Sequence, residues 1–101
     1  MNLGFLILIE ESETAYAEEI GRIRHVWDAI TPPKEFADYN SCISTALMVE
    51  EQNAKLLAAG ASSRDMEEFK NALKTILDNS VTLVECEELR IKALDKLGIP
   101  R

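Results

Sequence analysis

The chain has 101 residues, 47% of them apolar and 29% charged, which fits one folded domain over residues 1–101 and excludes a disordered chain. Acids outnumber bases by 18 to 11, for a net charge of −7. That balance excludes nucleic acid as a partner, because phosphate binding needs a clustered basic footprint, and it argues against an anionic membrane surface.

The apolar spacing predicts a first helix over 3–30. Its seam is Leu6, Ile9, Glu13, Tyr16, Ile20, Ile23, Trp27 and Ile30, stepped by alternating threes and fours as in heptad core positions. Thr31, Pro32 and Pro33 end it, since proline lacks an N–H and disfavours helical angles before it. The opening run 3–9 is apolar but far shorter than the about 20 residues that cross a bilayer. It also lacks the basic flank and small-residue cleavage site of a signal peptide. A second helix is expected over 33–59, capped by Thr31. Its stripe is Phe36, Tyr39, Ile43, Ala46, Leu47, Ala54 and Leu57, with Glu50 inside it. Gly60 is expected to end this helix in a left-handed turn, and Ser62 to cap the next with Asp65 in support.

The third helix is expected over 62–97, with apolar positions from Met66 through Leu97 mostly three or four apart. Gly98 and Pro100 stop it. Asp78, Asn79 and Ser80 compete for backbone hydrogen bonds, and Thr82 with Glu85 is able to cap a fresh start, so a four-helix version with a break near Asn79 stays open. Short connections make neighbours antiparallel. The expected architecture is all-α, an antiparallel up-down-up three-helix bundle.

A helix of that length overshoots its neighbours. The third helix would span about 50 Å against about 40 Å for the others. Its last ten or so residues would then pass the 31–34 loop, carrying Leu89, Ile91, Leu94 and Leu97. At the opposite pole Leu3, Phe5, Leu6 and Leu8 are apolar all round the helix. Exposed apolar patches mark interfaces. These eight residues are the expected interface, covered by a second copy in a homodimer or by a partner protein's helix.

Other chemistry is thin. Glu10 with Glu13 and Asp65 with Glu68 are each spaced i, i+3 and fall near one end of the bundle. Such pairs hold Mg²⁺, and the spacing resembles that of all-α nucleotide pyrophosphohydrolases. The resemblance implies a metal site at these four residues. Acids at helix starts also complement the helix dipole, which explains them with no metal or cofactor. Glu13 and Glu50 are expected within a turn of each other, either as a buried polar layer or as a solvated rim. His25 is placed on the surface. Trp27, Phe36, Tyr39, Leu83 and Val84 are expected at one level of the bundle. Cys42 and Cys86 fall about 9 Å apart along the axis by residue counting, too far for a bridge. Free thiols in a cytoplasm are therefore expected. The functional expectation is a non-enzymatic binding or assembly module. An acidic inhibitor or mimic that blocks a basic nucleic-acid-binding partner is the alternative, and a Mg²⁺ carboxylate enzyme the second alternative.

Overall fold

The computed structural model describes residues 3–78 and 83–100, and every structural statement concerns those residues. They are all-helical, without a strand. The elements are α1 (Leu3–Asp28), a 3-10 turn (Lys34–Phe36), α2 (Ala37–Ser62), α3 (Met66–Asp78) and α4 (Leu83–Leu97). The single helix expected over 62–97 is thus replaced by two elements. The break signals at Asn79, Ser80 and Thr82 lie outside the described residues.

α1 and α2 form an antiparallel pair. Near one end Leu6 of α1 joins Ala61 of α2 and Phe69 of α3 in a buried cluster. Near the other, the Trp27 indole N–H donates to the Asn40 carbonyl at 3.2 Å. The pair approaches closely because Ala17, Ala46, Ala54 and Ala61 are buried. α3 and α4 pack on α2, and α4 also packs on the 3-10 turn, but neither packs extensively along α1. The molecule is therefore long and thin, 56 × 24 × 17 Å. Its radius of gyration is 17.0 Å, against about 13 Å for a compact chain of this size.

The turn between α2 and α3 differs from expectation. α2 does not stop at Gly60 but runs through it to Ser62. Gly60 serves close packing instead. A Cβ there would stand 3.1 Å from the Ala72 Cβ and 3.3 Å from the Phe69 Cα. The left-handed residue is Arg64, at φ +59°. Ser62 does not cap α3 either, since its hydroxyl donates back to the Ala59 carbonyl at 2.8 Å. Asp65 takes that role, its carboxylate accepting from the Glu67 N–H at 2.9 Å. Gly60→Val should destabilise the fold by about 1–3 kcal/mol through overpacking against α3, read as a lowered urea midpoint at unchanged slope.

The same turn corrects the cysteines. Cys42 and Cys86 form a disulfide, with Cα atoms 5.5 Å apart. The bond sets the two cysteines level, and each is 22 residues in sequence from Arg64 (64 − 42 and 86 − 64). Turning the hairpin at Gly60 put them out of step. From that level α4 runs 11 residues further (97 − 86), and α2 extends 5 the same way (42 − 37). α4 thus overshoots α2 by about 9 Å, less than expected, and the 3-10 turn covers part of that overshoot. Gly98 ends α4 at φ +70°, and the Ile99 N–H reaches back to the Leu94 carbonyl at 3.0 Å.

Candidate functional site

The α1 seam contains two columns of side chains. Leu6, Ile20 and Trp27 face α2 and are buried or half-buried, with the half-buried Glu13 among them. Ile9, Tyr16 and Ile23 form the other column, and Ile30, expected as its last member, lies beyond the end of α1 at Asp28. Ile9 is half-buried, while Tyr16 is 45%, Ile23 38% and Ile30 53% exposed. The open column exists because no third helix lies along α1.

Where the columns meet α2 there is a cleft of about 340 Å³, lined by Tyr16 and Ile20 of α1 and by Ile43, Ala46, Val49 and Glu50 of α2. The Tyr16 hydroxyl donates to the Glu50 carboxylate at 3.1 Å. Partial burial raises the Tyr16 phenol above its ordinary value first; the Glu50 hydrogen bond and the charges of Glu50 and Glu13 push the same way. The phenol is thus held neutral, as a donor. Glu50 itself is exposed, so Glu13 and Glu50 belong to a wetted rim and not to a sealed polar layer.

The opposite side of the α1–α2 seam is polar. Arg24 donates to Glu51 at 2.8 and 3.0 Å, Lys55 stands 3.3 Å from the same carboxylate, and the Ser44 hydroxyl donates to Asp28 at 2.6 Å. The Arg24 hydrogen bond, with Lys55 in support and against some desolvation, holds the Glu51 carboxyl below its ordinary value. A depressed carboxylate stabilises the fold above its unfolded pKa of about 4.3, and that contribution is lost as pH falls through the lower folded value. Stability should therefore decline below about pH 4.3. Glu51→Gln should show a shallower acid limb in pH-dependent urea titrations.

At the N-terminal end of α1, Leu3, Phe5, Ile7 and Leu8 are exposed. Leu6, expected in the interface with them, is fully buried and belongs to the core. The Phe5 ring meets Phe69 edge-on, centroids 5.9 Å apart. At the far end of α4 Leu97 is exposed, while Leu89, Ile91 and Leu94 are half-buried.

The four acidic candidates part company. Glu10 accepts from the Arg64 guanidinium at 2.7 Å, Asp65 caps α3, Glu13 lies beside Tyr16, and Glu68 lies beside Gly60 in a groove between α2 and α3. Among the described residues no three metal-ligating side chains converge. His25 is exposed. Trp27 and Phe36 each meet Tyr39 edge-on, but Val84 is exposed and stays outside that group. The Leu83 side chain lies outside the described set. Residue counting missed the disulfide and the cleft; the signal for the cleft was the double column of the seam, which needs two neighbours to bury it.

Among the described residues no helix is long and apolar enough to cross a membrane. No family model, curated protein or solved structure matches the chain.

Proposed function

We propose that the protein is a non-enzymatic helical assembly module that associates with itself through apolar surface. Its α3 and α4 together serve as the third arm of an up-down-up arrangement. The observation that carries the reading is the solvent exposure of Leu3, Phe5, Ile7 and Leu8 on one end of α1. A soluble domain seldom leaves a contiguous patch of that kind uncovered. Burying each such side chain contributes about 1.5–3 kcal/mol, so a few suffice for stable association. Size exclusion with light scattering should report twice the 11.3 kDa of one chain. A monomer at about 100 μM, where even weak interfaces form, would sink the reading.

A second reading, the acidic mimic of a nucleic acid, is favoured by one feature. Arg22, Arg24, Arg64 and Arg90 are each paired with a carboxylate of the same chain, which leaves the acidic excess turned outward. Binding to a basic protein that weakens steeply with salt distinguishes it from apolar assembly. The cytoplasmic expectation rested on reduced thiols, and the Cys42–Cys86 bond removes that support. Such bonds persist in oxidising compartments.

A further inference from the structure

We infer that the Cys42–Cys86 bond is a redox latch on α4: reducing it releases α4 from α2, while α1, α2 and α3 stay packed together. This goes beyond the self-association proposed above and does not depend on it, because it concerns a single chain. The bond joins α2 to α4, with Cα atoms 5.5 Å apart across 44 residues of sequence. Around that tie α4 packs on one side of α2 and on the 3-10 turn.

What else holds α4 is slight. α1 buries Leu6 and Ile20, and α3 buries Phe69, whereas the buried members of α4 are Cys86 and Ala93. One of those two is the bonded cysteine itself. Leu89, Ile91 and Leu94 are half-buried, and Val84 and Leu97 are 66% and 42% exposed. Arg90 pairs with Glu87 of the same helix, so that ion pair does not tie α4 to its neighbours. α4 has 15 residues, a length at which a helix without tertiary packing is marginal in water. Once undocked it should therefore also unwind. The cluster of Leu6, Ala61 and Phe69 that joins α1, α2 and α3 lies elsewhere. Ala61 is 19 residues along α2 from Cys42 (61 − 42), about 28 Å away.

The chemistry is thiol–disulfide exchange with a dithiol reductant. Cys86 is buried and Cys42 half-buried, so attack falls on the Cys42 sulfur. A thiolate of the reductant forms a bond to Cys42 Sγ as the Cys42–Cys86 bond breaks, and Cys86 leaves as a thiolate that takes up a proton. The second thiol of the reductant, as its thiolate, then closes on the first. This releases Cys42 as a thiolate, which is protonated in turn. Two electrons and, through solvent, two protons pass to the protein, and the dithiol becomes a disulfide. An oxidising compartment thus keeps α4 latched and a reducing one lets it go.

Amide hydrogen exchange of the full chain, oxidised and then reduced with dithiothreitol, tests the latch. In the oxidised chain the amides of 87–97 should be protected. In the reduced chain they should exchange near the rate of an unstructured peptide, while those of 46–61 stay slowed by about 100-fold or more. Oxidised glutathione added after removal of the reductant should restore protection to 87–97. Cys42→Ala combined with Cys86→Ala should reproduce the reduced pattern without reductant and should not respond to it. Protection of 87–97 that survives reduction would overturn the inference. So would loss of protection in α1, α2 and α3 together with α4, because the bond would then hold the whole fold and not one arm of it.

Discussion

Reducing the Cys42–Cys86 bond should lower the unfolding free energy by about 4 kcal/mol. The estimate follows from chain entropy. A cross-link between residues 44 apart removes that much freedom from the unfolded chain, to first order. Small domains have about 5–15 kcal/mol in total, so the loss is large. It corresponds to a fall in melting temperature of about 15–30 °C for a domain of this size. Thermal melts with and without a phosphine reductant, and of Cys42→Ala paired with Cys86→Ala, provide the check. A shift of only a few degrees would mean that the bond does little in this fold. The effect should be pronounced because the core is thin. Apart from Leu6, Ile20 and Phe69, its buried apolar members are alanines and Cys86.

Phe69→Ala should cost about 3–5 kcal/mol, the upper range for a single side chain. Phe69 is 6% exposed, packs with Leu6 and Ala61, and takes the edge of Phe5. With Leu6 it joins α1, α2 and α3 in one cluster. Its removal leaves a cavity that three helix backbones must close together. The contrast lies two turns further along α3. Leu77 is 76% exposed, and Leu77→Ala should fall within about 0.5 kcal/mol of the natural chain. Urea titrations of the two variants would separate a core anchor from a surface leucine, and equal losses would contradict this placement of the core.

The helical class was legible because the apolar periodicity of α1 and the breakers at Pro32, Pro33, Gly98 and Pro100 are local signals. Other features were not local. Gly60 reads as a stop by composition, yet its missing Cβ answers to Ala72 and Phe69 on another helix. The left-handed turn fell to Arg64, a residue that composition does not mark. That difference of a few residues moved the hairpin register, and the register decides whether two cysteines meet. The seam was legible as eight positions, but their division into a covered and an open column depends on how many helices flank α1. That number is a tertiary fact. The metal reading failed to assemble for a related reason: i, i+3 acids share a helix face, but Arg64 reaches Glu10 before any second carboxylate does.

The placement of the disulfide divides the chain into unequal kinds of object. Residues 42–86 form a covalent ring that holds most of α2, all of α3 and the start of α4. α1 lies outside that ring, joined to it by the 29–41 backbone and by side-chain contacts with α2. A cut in the turn around Arg64 would open the backbone and still leave a single molecule. A cut in the 31–33 connection would leave α1 attached by side-chain contacts alone. The helix that leaves Leu3, Phe5 and Leu8 exposed is thus also the one the covalent structure secures least.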